Sequence, residues 1–348
     1  MNNQRLIYID FLKCFGIWAV IMGHIYTNND MIYQFIYSFH MPLFFVLSGV
    51  FFRNQYTVKE LIRKRIPTLI IPYLFFYILT FLYWVLIERY LRTNSGGVEA
   101  EWWKPILGLF YESPYWNFFA HNNPLWFVPA LISTEILACS FSKYNFKFRC
   151  LIGIICIGLS FIFSYFNLLL PFGLIMACYC FLFHCISSKV HLLYKLTSKS
   201  KSYIFIILLI IYCIYICYYG YVPSTIFYPQ PDTAIIFYFI AIYTILLLLL
   251  FALLFQKIYA NNIIGKIISF FGSNTLLILC IHDPLKRIII FLYSKITTCT
   301  INDVRHDILN SLICLVIICI ILIPIIILYN KVIKPFLNKI SFYVINHY

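Results

Sequence analysis

Asp10, Lys13 and His24 lie within one apolar run near the start of the chain. An Asp or Lys in hydrocarbon costs about 2.5–3.5 kcal/mol on insertion scales, so such groups are read first as functional. Asp10 and Lys13 are three residues apart, a helical spacing that lets them pair on one face and share that cost. Lys13 and His24 are eleven apart, about three turns, so a cation and an imidazole share a stripe with roughly 16 Å of helix axis between them. An imidazole is the side chain best suited to take a proton near neutral pH. His40 and His282 fall on the same side of the expected bundle as His24, and the three converge on a candidate site for proton removal. The plainer readings are a snorkelling Asp10–Lys13 pair at headgroup level and an interfacial His24.

Arg63, Lys64 and Arg65 stand just before the third apolar run. They can anchor a helix end, or they can hold phosphate, for which arginine offers a bidentate fork. Ser48 and Gly49 close the second run and give a small surface for a packing helix or a ligand. Glu135, inside the fourth run, needs a partner such as Lys13 or a water-filled cavity.

These residues have to be carried by membrane-spanning helices. Of 348 residues, 63% are apolar and 11% charged, whereas a soluble domain carries about a quarter charged residues. A helix crosses the hydrocarbon core with about 20 residues. Ten runs approach that length: 6–26, 34–52, 67–88, 124–142, 148–165, 168–186, 203–220, 233–256, 267–288 and 308–329. The expectation is therefore a single all-α domain over 1–348, a polytopic bundle of about ten spans, its first run retained rather than cleaved as a signal peptide. The net charge of +14 is spread in short clusters between apolar runs, which fits membrane topology better than nucleic acid. Eighteen of the 26 basic residues fall on the side of the N-terminus, seven on the other side and Lys13 in a span, which places both termini in the cytoplasm of a cell-membrane protein. The aromatic, acidic connection 89–123 reads as an interfacial belt or as the mouth of a sugar site. The 13 cysteines form no C-x-x-C pair, so no metal site is expected and buried thiols are the simpler reading.

Four segments carry a resemblance. RLIYIDFLKCFGIWAVIMGHIY holds Asp10, Lys13 and His24; FHMPLFFVLSGVFF holds Ser48 and Gly49; NNPLWFVPAL opens the fourth run; ISFFGSNTLLILCIH ends at His282. In that order and on those runs, the chain resembles the acyltransferase-3 family of integral-membrane O-acyltransferases, and is most similar to its sugar O-acetylase group, which includes fucose O-acetylase-like proteins. Many members carry arginine where this chain has Lys13. Many also carry a pair of arginines before a Pro-Tyr in the third span; here Arg65 matches the first, Thr68 stands at the second, and Pro72 and Tyr73 follow.

The resemblance implies acetyl transfer from cytosolic acetyl-CoA, or another acyl-CoA, to a hydroxyl of a cell-surface polysaccharide or lipid-linked sugar. The coenzyme is a donor substrate and no cofactor is permanently bound. His24 is the implied general base, Asp10 and Lys13 would position it or neutralise donor charge, and His282 is counted with the catalytic residues. Arg65, helped by Arg63 and Lys64, would bind donor phosphate, and Ser48 would meet the acyl arm. The alternative from another class is a multi-span transporter of a lipid-linked sugar or small solute that makes no ester.

Overall fold

The computed structural model describes residues 7–52, 56–91, 101–111, 118–196, 203, 207–208, 210–212, 214–215 and 231–347. Among the described residues the regular structure is helical apart from an isolated bridge between Tyr111 and Pro171. In chain order the helices are α1 Ile7–Ile25, α2 Met31–Val50, α3 Val58–Leu91, α4 Phe127–Ser140, α5 Phe146–Tyr165, α6 Leu174–Leu196, α7 Pro231–Tyr259, α8 Ile263–Gly272, α9 Thr275–Thr297, α10 Ile301–His306 and α11 Ile308–Leu328. A π-turn, Tyr329–Ile333, then joins α11 to α12, Lys334–His347. Six described helices are long and apolar enough to cross a membrane, or seven if α8 and α9 form one broken span. Of the ten expected runs, 124–142 and 168–186 correspond to α4 and α6, whose apolar stretches are shorter, and 203–220 lies mostly outside the described residues. Tyr115, Trp116, Glu99 and Glu112 of the aromatic connection also lie outside them, whereas Trp102 and Trp103 are exposed.

α1 is the hub. About 61% of its apolar window is buried, against 17% for α5, which therefore belongs to the rim. α2 runs antiparallel to α1. Cβ atoms added at Gly16 and Gly23 would lie 3.0 Å from Leu43 and Ile36 respectively, so both glycines let the two helices approach closely. On the other side of α1, a Cβ at Gly272 would collide with the backbone carbonyl of Asp10, a neighbour that no rotamer change can move. Gly272→Ala is accordingly expected to destabilise by about 1–3 kcal/mol. Gly158→Ala, on the open face of α5 with nothing within 4 Å, should not. Thermal unfolding of the two variants in detergent checks the contrast.

Two expected boundaries differ. The run 267–288 is broken: α8 and α9 meet at 80°, and the turn is held by Ser273 Oγ donating to the Ser269 carbonyl at 2.6 Å and Asn274 Nδ2 to the Phe270 carbonyl at 2.7 Å. α9 then continues to Thr297, because Lys286 and Arg287 are balanced by Asp283 beside them and by Glu88 of α3. The run 168–186 begins only at Leu174, since Asn167, Phe172 and Gly173 all have positive φ, which no helix accommodates.

Proline placement explains a further contact. Pro284 inside α9 has no N–H to give to the Cys280 carbonyl four residues earlier. That carbonyl instead accepts from Asn122 Nδ2 at 2.6 Å, from the residue that begins the short 3-10 turn Asn123–Trp126 leading into α4. Asn122 and Cys280 are both fully buried, so water cannot replace the bond. Asn122→Leu should cost about 1–3 kcal/mol, read as a lowered unfolding midpoint.

Candidate active site

The antiparallel packing of α1 and α2 divides the polar residues between two ends of the bundle. One end holds Asp10, Lys13, Ser48, Arg65, Glu135, Arg149 and His184. The other holds His24, His40, His121, His282 and the charged residues of α9.

At the histidine end, α1 and α9 place the His24 and His282 rings 5.3 Å apart. His282 is fully buried and His24 half-buried. The Nδ1 of His282 lies 3.0 Å from the carbonyls of both Ile278 and Leu279. Nδ1 therefore carries the proton, as assigned from this bonding, and Nε2 presents a lone pair. That Nε2 is buried with no partner among the described residues. His40 of α2 is fixed similarly, with Nδ1 2.7 Å from the Ile36 carbonyl and Tyr37 packed edge-on at 4.9 Å. The ionisable groups acting on His24 are Lys286, His282, Asp283 and His40.

Next to the histidines lies a network the sequence did not announce. Asp283 pairs with Lys286 at 2.7 Å and with Arg287, one helical turn on. Arg287 also holds Glu88 of α3, with Nε 2.6 Å from Oε1, and donates to the His121 carbonyl at 2.6 Å. The π-turn Trp84–Glu88 ends on that carboxylate. His121 packs edge-on against Tyr77 at 4.5 Å, and both its ring nitrogens are buried without a partner among the described residues. Lys286 and Arg287 are two of the seven basic residues that the charge count assigns to the outer side. The local signal that points inward is Asp283, three and four residues before them, which balances one of the two cations on the same helical face; Glu88 of α3 balances the other.

At the other end, Glu135 is paired with Arg65 of α3, not with Lys13. Arg65 Nε lies 2.6 Å from Oε2 and a second guanidinium nitrogen bonds Oε1. Arg65 stands at the start of the π-turn Ile66–Ile70, and Thr68 turns its hydroxyl to the Lys64 carbonyl at 3.0 Å. Arg63 reaches the Ile345 carbonyl at 3.3 Å, and Lys64 Nζ contacts the Tyr56 hydroxyl at 3.0 Å. Asp10 accepts from Ser269 Oγ at 3.0 Å, Lys13 lies 5.1 Å from the centre of the Phe51 ring, and Ser48 donates to the Phe45 carbonyl at 2.8 Å. His184 of α6 is buried beside Phe52, 5.1 Å between rings, with an unpartnered Nε2 among the described residues. Arg149, near the start of the expected run 148–165, is buried in α5.

The expected site residues thus divide into a histidine pair, His24 with His282, and a cationic group around Arg65. About 16 Å of α1 separates Lys13 from His24. Such an arrangement can remove a proton at one end and receive an anionic ligand at the other.

Residues 6–331 match the acyltransferase-3 family model, described as an acyltransferase domain, and the match takes in both clusters. No curated protein and no solved structure matches the chain. With nearly the whole chain covered, and with long apolar helices on which the two clusters stand, the chain belongs to the acyltransferase-3 family and is a membrane acyltransferase.

Proposed function

We propose that the protein O-acetylates a hydroxyl of a cell-surface polysaccharide or lipid-linked sugar, using cytosolic acetyl-CoA as donor. The observation that carries this reading is the His24–His282 pair, one residue half-buried and the other fully buried with a lone pair turned away from its backbone contacts. In the reaction, His24 takes the proton of the acceptor hydroxyl as its oxygen attacks the thioester carbonyl. The tetrahedral intermediate collapses by breaking the carbon–sulfur bond, and the thiolate of coenzyme A leaves and is protonated. His282 Nε2 accepts a hydrogen bond from the acceptor or from the second nitrogen of His24, and so sets the ring. Arg65, with Arg63 and Lys64 nearby, receives donor phosphate at the end that the charge rule assigns to the cytoplasm. Asp10 and Lys13 support α1 on that side, and Ser48 lines the path of the acyl arm. Both termini lie in the cytoplasm and the protein resides in the cell membrane.

The test is reconstitution of purified protein in liposomes with acetyl-CoA and a panel of sugar acceptors, followed by mass spectrometry of the products. Acetyl ester formed only with intact protein supports the reading. The broken α8–α9 pair gives one argument for a transporter, since interrupted helices are common there. Solute uptake into the same liposomes without any ester would establish that alternative and overturn the proposal.

A further inference from the structure

The Arg65–Glu135 pair has an asymmetry that a purely structural bridge does not need. Glu135 is fully buried, whereas the Arg65 side chain keeps 18% of its surface exposed. Glu135 occupies one edge of the guanidinium plane, Nε and a single terminal nitrogen. The remaining terminal nitrogen makes no bond with any other described residue. A planar fork held along one edge has its other N–H groups aimed in a fixed direction. A buried ion pair also seldom stabilises a fold more than an apolar pair of equal size would.

The surroundings suit an anion. Arg65 and Arg149 are the two charges that act on buried His184, and Lys64 acts on Glu135 together with Arg65. His184 Nε2 has no partner among the described residues and offers a further polar contact to a ligand at this end of the bundle. Immediately after Arg65 the helix widens into a π-turn that includes Pro67, and such turns gather at functional sites.

We propose that Glu135 is a positioning residue for donor binding: it clamps one edge of Arg65 and thereby sets the other edge toward the phosphate oxygens of acyl-coenzyme A. This rests on the donor reading given above. Glu135 does not touch the donor. It restricts Arg65 to one rotamer before binding, so less side-chain entropy is lost when phosphate arrives.

The experiment uses the full-length protein in nanodiscs with coenzyme A as the probe, titrated calorimetrically, and acetyl-CoA against S-acetylpantetheine, which lacks phosphates, in the acetylation assay. Glu135→Gln is expected to weaken coenzyme A binding about tenfold. It should raise KM for acetyl-CoA with little change in kcat, and leave turnover of S-acetylpantetheine as in the unaltered protein. Arg65→Ala should weaken binding at least as much, and adding Glu135→Gln to it should weaken it no further. Arg65→Lys keeps the charge opposite Glu135 but has no fork; it guards against a folding defect in Glu135→Gln and should also lose affinity.

Wild-type affinity in Glu135→Gln or Arg65→Lys overturns the inference, as does an equal loss with both donors or a double variant whose losses multiply. Absence of coenzyme A binding by the unaltered protein would instead remove the donor reading itself.

Discussion

His24→Ala is expected to reduce ester formation by about 10²–10⁴-fold at matched abundance in the membrane, the range that removal of a general base produces. The choice of His24 over its neighbours follows from access. His282 is fully buried with Nδ1 committed to two carbonyls, and His40 is buried with Nδ1 committed to one. His24 is the half-buried member of the three and so the least enclosed of them. His24→Gln provides the stricter test, because glutamine can still donate and accept hydrogen bonds but cannot carry the proton away. It should be almost as inactive as alanine, with binding of coenzyme A unchanged, since the donor phosphates are placed at the opposite end of the bundle. His282→Gln should retain more activity than His24→Gln if its part is to orient. Turnover by His24→Gln equal to that of unaltered protein would remove His24 from the chemistry.

The sequence made α1 legible because its stripe is built on spacing alone: Asp10, Lys13 and His24 are separated by whole turns, and apolar residues fill the rest of the helix. It made His282 legible through an apolar run containing a single imidazole. It hid the residues next to them for two physical reasons. The first is that charge marks the water interface only where it is unbalanced, whereas Asp283 and Glu88 together balance Lys286 and Arg287, so that α9 keeps its charged residues inside. The second is that partners distant in sequence leave no local trace. Nothing around Glu88 points to Arg287, nearly two hundred residues away, and nothing around Asn122 points to a carbonyl left open by Pro284. Glu135 illustrates both at once. Its burial cost calls for a partner such as Lys13 or for a water-filled cavity, and nothing in the periodicity points to Arg65 on another helix. Packing of α3 against α4 decides for Arg65.

The same logic of closed charge predicts the largest effect on stability. Arg287 joins α9 to Glu88 of α3 and to the His121 carbonyl, and it shares Asp283 with Lys286. The Glu88 and Asp283 side chains are only 5% and 3% exposed, so neither carboxylate can turn to water if Arg287 is removed. Asp283 keeps Lys286, whereas Glu88 loses its buried pairing with Arg287. Arg287→Met should therefore cost about 3–5 kcal/mol, the usual penalty for breaking a buried ion pair by removing one member. Protein carrying it should accumulate poorly and unfold at a much lower temperature in detergent. Glu88→Gln added to Arg287→Met removes the buried carboxylate charge and should recover a large part of the loss, because an uncharged amide is far cheaper to bury than a carboxylate. Lys286→Met by itself should cost less, since Asp283 retains Arg287. A double variant no more stable than Arg287→Met alone would mean that the network does not hold α3 and α9 together through Glu88. Recovery of stability without recovery of acetylation would assign the network a second task, holding His282 in register with His24 through the helix that carries both His282 and Arg287.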